Sequence, residues 1–450
     1  MSAGKDHGHP PTYHDEDTYY NAIDEEKQGQ MQPPSDDPFG NEEEGEVKYR
    51  VMNWWNAGML MIAECISLGV LSMPSAIATL GLAPGVILIW GLSAISWYTG
   101  YVYGQFKLRY PHVHSVADAG EILMGGFGRE LMNLAQLLLC IFLMSSHILT
   151  FVKTLNTISE HATCSIVWGV VGLVVSFIGS LPRTMNKMYL MSSFTSILTA
   201  TVFTMGSVGA QDEYHGKLYA TTDVDFDDAF LSVTNIVFGY IAHVAYFGFQ
   251  SEMKEPRDFP KALAMLQVTN TSLYTVTAVV VYCYVGPDVA SPALASAGPL
   301  MSRIAYGLAI PTVIIAGVIF GHVACKYVYV RIFRGSARLH EKGLVSTGAW
   351  VGIGLAGWVI AWIIAESIPV FNYLLGLIAA LFGSWISYGL PAVFWLYMNK
   401  DQLFASPKKI VLTIVNLTIF GIACAICGLG LYVTGKAIHG SSSSASWTCS

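Results

Sequence analysis

The sequence predicts an all-α integral membrane protein, and three observations lead to this fold class. Of the 450 residues, 53% are hydrophobic and 12% are charged, whereas a soluble protein carries about 25% charged residues. The apolar residues form long runs without alternating polar positions, which is typical of membrane helices and not of barrel strands. The first 50 residues, in contrast, hold thirteen Asp and Glu against four Lys and Arg.

Each predicted helix is an apolar run long enough to cross the bilayer. About 20 residues are needed to span about 30 Å of hydrocarbon. Eleven runs meet this requirement, and the short link "LGLAP" makes the first two helices antiparallel neighbours. In chain order the predicted spans are 53–80, 84–106, 130–153, 165–182, 187–209, 229–250, 262–285, 304–330, 346–367, 370–398 and 410–434.

The spans divide the chain into three regions. Residues 1–50 have too few aliphatic side chains to bury a core, so we expect a disordered acidic cytoplasmic tail. We expect residues 51–435 to form an eleven-helix membrane domain and residues 436–450 to form a short Ser-rich extracellular tail. Lys and Arg accumulate on the cytoplasmic side of membrane proteins. With the N-terminus inside and the C-terminus outside, twenty Lys and Arg are cytoplasmic and four are extracellular: Lys153, Lys217, Arg303 and Lys436.

Two predicted helices carry polar and helix-breaking residues near the bilayer centre. The first contains "IAECISLGVLSMPSA", with Glu64, Gly69 and Pro74, and the sixth is centred on Phe238 to His243. Broken helices are tolerated at this depth only where they line a cavity or bind a ligand. Five spans separate the two segments, so the two helices cross in opposite directions. Interrupted helices in corresponding positions of inverted halves indicate the central site of a secondary transporter. We therefore expect a 5+5 inverted repeat plus one extra helix.

A site of this kind suits an amino acid zwitterion. The N-terminus of a half-helix presents N–H groups to a carboxylate, and the C-terminus of a half-helix presents carbonyls to an ammonium group. The aromatic side chains of the sixth helix could cover a neutral substrate side chain. The predicted substrate-binding residues are Ser67, Leu68, Gly69, Val70, Leu71 and Ser72 on the first helix, and Phe238, Gly239 and Tyr240 on the sixth.

Three stretches resemble the amino acid/auxin permease family, and within it the fungal neutral amino acid permeases. They are "AECISLGVLSMPSAIATLG", "GPDVASPALASAGPL" at 286–300 and "AWIIAESIPVFNYLLGLIAAL" at 361–381, and the resemblance extends over residues 50–435. The resemblance implies a leucine-transporter-like fold and proton-coupled uptake of neutral aliphatic and aromatic amino acids at the plasma membrane. Glu64 stands near the position where sodium-coupled relatives use neutral oxygen ligands, which favours a proton over sodium.

Two ionisable residues are candidates for carrying the coupling proton. Glu64 is the first, because a low dielectric disfavours the charged carboxylate and allows the group to bind and release a proton near neutral pH. His243 is the second, because an imidazole titrates close to neutral pH. The alternatives are a permanently protonated Glu64 that bonds a neighbouring helix, and a His243 that is a structural residue of the core.

Cys164 and Cys449 are the only cysteines placed outside the spans, where oxidation is possible. A disulfide between them is a hypothesis.

Other function classes have less support in the sequence. There is no GxxxxGK[ST] motif for ATP-driven transport, and no cofactor, metal site or nucleic-acid partner is expected. The His and Asp clusters of a membrane enzyme are absent, so we predict a transporter and not an enzyme. We expect it to function as a monomer in the lipid bilayer. The alternatives are a vacuolar amino acid exporter of the same family and a non-transporting amino acid sensor.

Overall fold

A computed structural model of the protein describes residues 52–182, 187–210, 218–333 and 343–449. The acidic tail predicted for residues 1–50 lies outside the described residues. Within the described ranges the regular elements are helices, and the one exception is an isolated bridge between Met52 and Met253. The all-helical fold class is confirmed.

Each predicted span overlaps a helix, but the helix at the third span, Val116–Ser159, begins fourteen residues before the predicted start at residue 130 and ends six residues after the predicted end. A π-helical segment, Ala379–Gly389, connects the helices Phe371–Ile378 and Leu390–Met398, and these three pieces form one continuous span. In chain order the helices are α1 (Trp54–Leu80), α2 (Leu82–Arg109), α3 (Val116–Ser159), α4 (Ser165–Ser180), α5 (Lys187–Gly209), α6 (Phe226–Phe238), α7 (Tyr246–Glu252), α8 (Phe259–Val285), α9 (Pro299–Phe333), α10 (Leu344–Ser367), α11 (Phe371–Ile378), α12 (Leu390–Met398) and α13 (Pro407–Ala445).

In the described part of the chain, nine helical segments are long and apolar enough to cross a membrane. The segment Phe226–Glu252 contains both α6 and α7, and the segment Phe371–Met398 contains α11, the π-helical segment and α12. Two further helices occupy predicted spans: α4 is apolar but has only 16 residues, and α5 has 23 residues. The exact number of eleven spans therefore stays a prediction.

Helix α1 lies at the centre of the arrangement, where it contacts α8, α6, α5 and α2, and every residue from Ile66 to Ile77 is buried. A second group of helices forms around α9, which contacts α3 and α5. Ser196 on α5 donates a hydrogen bond to the Leu308 carbonyl on α9 at 2.5 Å, and Thr312 on α9 donates to the Ser193 carbonyl at 2.6 Å. Such hydroxyl bonds between helices contribute to association in lipid, where no hydrophobic force drives helices together.

The predicted break in the first helix is wrong. Helix α1 runs without interruption from Trp54 to Leu80, with Pro74 inside it. Ser72 Oγ donates to the Gly69 carbonyl at 3.0 Å, and Ser75 Oγ donates to the Ser72 carbonyl at 2.9 Å. These hydroxyls bond back to carbonyls of their own helix. A continuous helix keeps its backbone groups paired at a depth where water is absent, except that Pro74 has no N–H to donate to the Val70 carbonyl.

The last helix is longer than the sequence predicts. Helix α13 continues to Ala445, beyond the predicted end of the last span at residue 434. Beyond the helix, Ser446 Oγ donates to the Ser367 carbonyl at the end of α10, at 3.1 Å.

Cys164 and Cys449 are joined by a disulfide in the structure, with their Cα atoms 4.4 Å apart. This is the pairing that the sequence predicts. The ring of Trp447 also meets the ring of Trp362 edge-on at 5.5 Å. The C-terminal segment is thus attached to both α4 and α10.

At the opposite end of the molecule, the chain that enters α1 pairs with the chain that leaves α7. Met52 N donates to the Glu252 carbonyl at 3.1 Å, and Lys254 N donates to the Met52 carbonyl at 2.8 Å. Met52 and Met253 are both buried. The first helix and the second half of the sixth span are therefore linked at this end.

Candidate functional site

The sixth span is broken where the sequence predicts. Helix α6 ends at Phe238, and α7 begins at Tyr246 after a 3-10 turn over His243–Ala245. Gly239 and Tyr240 of the predicted site lie in the non-helical segment between them. We call residues 239–242 the break. Carbonyls in such a segment lack the N–H partners that a continuous helix supplies, so they need other donors or a ligand.

Helix α1 meets the break through a contact between two glycines. A Cβ atom added at Gly69 would lie 2.9 Å from Gly239 Cα and 2.9 Å from Tyr274 Oη. Three residues further along α1, Ser72 Oγ lies 3.5 Å from the Asn235 carbonyl on α6. Gly69 therefore allows close approach of α1 to the break, and it does not interrupt its own helix.

Side chains of α8 and α1 surround the Gly239 carbonyl. Tyr274 Oη donates to this carbonyl at 2.9 Å and lies 3.2 Å from the Cys65 carbonyl on α1. Cys65 Sγ donates to the Gly239 carbonyl at 3.3 Å, and Asn270 Nδ2 donates to Cys65 Sγ at 3.0 Å. These three side chains, which come from α1 and α8, are not among the residues predicted from the sequence.

A pattern in the sequence could have identified the α8 residues. Polar residues recur along the seventh predicted span at positions i, i+3, i+4 and i+7, so they form one stripe on a membrane helix. Such a stripe inside hydrocarbon indicates a polar contact or a binding site. The stripe consists of Gln267, Asn270, Thr271 and Tyr274.

His243 is fully buried between the break and α2. Its Nε2 atom lies 2.9 Å from Thr99 Oγ1 and 3.3 Å from the Ser96 carbonyl. Gln267 Nε2 on α8 donates to Ser96 Oγ at 3.0 Å, so α8 also forms a hydrogen bond with this part of α2. Among the residues that the structure describes, His243 Nδ1 has no hydrogen-bond partner. The histidine is thus held by α2 on the side of its Nε2 atom.

Glu64 lies on a different face of α1 from the contact with the break. At 100° per residue, the face of α1 that carries Glu64 and Ser67 is turned by about 150° from the face that carries Cys65 and Gly69. The Glu64 side chain is partly buried, and its carboxyl group is within electrostatic reach of Cys140 on α3. Ser67 Oγ is buried without a hydrogen-bond partner in the described part of the chain.

The remaining predicted site residues lie in the break, at the end of α6 and on α1. Tyr240 Oη donates to the Ile89 carbonyl on α2 at 2.9 Å, and the Tyr240 ring meets the Tyr274 ring edge-on at 5.5 Å. Phe238 is buried at the end of α6. Three of the predicted residues belong to the buried hydrophobic surface of α1: Leu68, Val70 and Leu71.

The groups at the break suit an ammonium ligand better than a metal ion. A carbonyl, a phenol, a thiol and an amide come together there, and the carbonyl is the acceptor that an ammonium group needs. Within the described ranges, no three His, Cys, Asp or Glu side chains lie close enough together to hold a metal ion.

Proteins of similar sequence are transporters by name. The chain is 35% identical over 402 residues to the N amino acid transport system protein of Neurospora crassa, covering 87% of this chain and 86% of that protein. It is 30% identical over 368 residues to a transmembrane transporter of Gibberella moniliformis, covering 79% and 77%. It is 23% identical to the amino acid transporter AVT1H of Arabidopsis thaliana, covering 84% and 88%.

The fold is similar to that of MhsT, a transporter with the leucine-transporter-like fold whose crystal structure was solved in complex with L-phenylalanine. The TM-score is 0.56 at 12% sequence identity, and the match covers 87% of this chain and 100% of MhsT. At this identity the likeness concerns the fold alone.

The family model names the same activity as two of these relatives and spans most of the helical part of the chain. The profile of the transmembrane amino acid transporter protein family matches residues 50–435, which include helices α1 to α12 and most of α13. The protein belongs to the transmembrane amino acid transporter family, as the resemblance of its sequence motifs predicts.

Proposed function

We propose that this amino acid transporter is a secondary active symporter, which couples the uptake of neutral aliphatic and aromatic amino acids to protons. The observation that carries the proposal is the contact of α1 with the break at Gly69 and Gly239, where a backbone carbonyl lies outside a regular helix. In this arrangement the Gly239 carbonyl accepts the substrate ammonium group. Because α1 is intact, it offers no free N–H groups at this depth, so its backbone supplies no donor to the substrate carboxylate.

Neutral substrates fit the side chains around the break. Leu68, Val70 and Phe238 are apolar, and the hydroxyl of Tyr240 is already used in a bond to α2. A cationic or anionic substrate side chain would need a buried counter-charge, because an unpaired charge at this depth costs several kcal/mol. Among the described residues, Glu64 is the one carboxylate on this stretch of α1, and we assign it to the proton instead.

Proton coupling is proposed for Glu64, with His243 as the second candidate. Glu64 lies on nearly the opposite side of α1 from the Gly69 contact, so its charge and the substrate act on each other across the helix. His243 is already held by Thr99 and Ser96, which is the arrangement of a structural histidine. Sodium is the alternative coupling ion.

The remaining parts of the proposal concern location and assembly. We propose a multi-pass plasma membrane protein with a cytoplasmic N-terminus and an extracellular C-terminus, because Lys and Arg are distributed in this way between the loops. A disulfide at Cys164 and Cys449 fits an extracellular, oxidising location. We propose that one chain suffices for function. A vacuolar exporter of the same family and a non-transporting sensor are the competing functions.

Transport into liposomes tests these functions directly. The full-length protein is reconstituted, a pH gradient is imposed without sodium, and uptake of labelled leucine is measured in competition with a panel of amino acids. We expect accumulation that collapses when the gradient is dissipated, and competition by neutral amino acids alone. Accumulation that requires sodium would contradict proton coupling, and leucine binding without uptake would favour the sensor.

A further inference from the structure

The Gly239 carbonyl accepts hydrogen bonds from two side chains on other helices. Tyr274 Oη donates at 2.9 Å from α8, and Cys65 Sγ donates at 3.3 Å from α1. A carbonyl oxygen has two lone pairs, so these two donors fill its capacity. A substrate ammonium group that reaches this carbonyl must therefore replace one of them.

The two donors differ in strength and in how firmly they are held. A thiol is a weak hydrogen-bond donor, whereas a phenol is an ordinary one. Tyr274 is completely buried, and its ring is supported by the edge of Tyr240. The Cys65 side chain is only partly buried, and its sulfur also accepts a hydrogen bond from Asn270. The thiol is therefore the donor that an ammonium group displaces at lower cost.

We propose that Tyr274 is a positioning residue that directs the Gly239 carbonyl at the substrate ammonium group, and that the Cys65 thiol occupies the ammonium position before substrate binds. Gly69 is part of this arrangement, because its missing side chain leaves room for Tyr274 Oη between α1 and the break. The inference rests on the proposed function, since it concerns the same binding site.

The test compares leucine with an analogue that lacks the ammonium group. The full-length protein in liposomes takes up labelled leucine, and 4-methylpentanoate serves as a competitor with the same carboxylate and side chain. In Tyr274→Phe we expect the KM for leucine to rise about tenfold, because the acceptor of a charged group loses its fixed direction. The inhibition constant of 4-methylpentanoate should change by less than about twofold, because this analogue makes no ammonium contact.

Tyr282→Phe is the matched control on the same helix. Tyr282 is also completely buried, but its hydroxyl bonds the backbone of Tyr219 and not the break. Both constants should stay at the values of the unaltered protein. If Tyr274→Phe raises the KM for leucine and the inhibition constant of 4-methylpentanoate by the same factor, or changes neither constant, the positioning role is refuted.

Cys65→Ala tests the role of the thiol, and it keeps the inference testable if Tyr274→Phe does not fold. Removing a weak competitor should lower the KM for leucine by about twofold to threefold. An unchanged or higher KM would show that the thiol does not compete with the substrate ammonium group, and this part of the inference would be wrong. The proposed function is tested separately, by leucine uptake in the unaltered protein. The inference depends only on the ratio of each variant's constants to those of the unaltered protein.

Discussion

The contact between Gly69 and Gly239 allows a sharp comparison of two alanine substitutions. In Gly69→Ala the new Cβ atom would lie 2.9 Å from Gly239 Cα, which is a backbone atom and cannot turn aside. In Gly239→Ala the closest atom is Met73 Cε, the end of a flexible side chain, and the next is Tyr274 Cε2 at 3.2 Å. Gly239 has φ −61°, so alanine causes no backbone strain there. We therefore expect Gly69→Ala to be the more harmful substitution.

The magnitude follows from the distances. Carbon atoms pack best at about 3.5–4.0 Å, so α1 must move away from the break by about 0.6–1 Å in Gly69→Ala. Forcing an extra methyl group into a packed interior costs about 1–3 kcal/mol, against a gain of up to about 1 kcal/mol from replacing glycine in a helix. For Gly239→Ala the methionine can rearrange, and we expect a cost below about 1 kcal/mol.

The assay combines leucine uptake in liposomes with the melting temperature of the purified proteins. Gly69→Ala should lower the melting temperature and raise the KM for leucine by about tenfold or more, because the groups around the Gly239 carbonyl lose their alignment. Gly91→Ala on α2 is the control, since a Cβ there meets no atom within 4 Å. A Gly69→Ala protein with unaltered KM and melting temperature would refute the reasoning, and so would a greater effect of Gly239→Ala.

Three further predictions concern charge, histidine and the disulfide. Glu64→Gln should reach the membrane and exchange leucine but lose accumulation driven by a pH gradient, and full accumulation would exclude Glu64 from coupling. His243→Ala should lower the free energy of unfolding by about 1–3 kcal/mol, because Thr99 Oγ1 loses a partner at 2.9 Å; a melting temperature equal to that of the unaltered protein would argue against this structural role. Reduction should shift the electrophoretic mobility of the unaltered protein but not of Cys449→Ala, and the absence of any shift would contradict the bond to Cys164.

The helix positions could be predicted because lipid imposes a simple rule on the sequence. Every lipid-exposed segment must satisfy its own backbone hydrogen bonds, so long apolar runs become helices whatever their neighbours are. Predicted span 187–209 coincides with α5, and span 346–367 differs from α10 by two residues at its start. The π-helical segment Ala379–Gly389 was not predicted, because its apolar composition is that of an ordinary helix.

The breaks were harder to predict because glycine has two uses in a membrane helix. The pattern of glycine with an ionisable residue predicted two interruptions, and only the one at Gly239 occurs. At Gly69 the same pattern serves close approach to another segment, and the serines nearby bond to their own helix. The sequence cannot distinguish these cases, since the difference lies in what the glycine contacts.

The sequence by itself determined that this is a membrane protein, and it determined the class of secondary structure, the approximate ends of most helices and the family. These properties follow from composition, from the length of apolar runs and from local motifs. Only the tertiary structure decided which residues surround the Gly239 carbonyl. Tyr274 lies 35 positions away from Gly239, and Cys65 lies 174 positions away. Contacts across such separations are fixed by how helices pack against one another, and packing depends on the shapes of all the helices together.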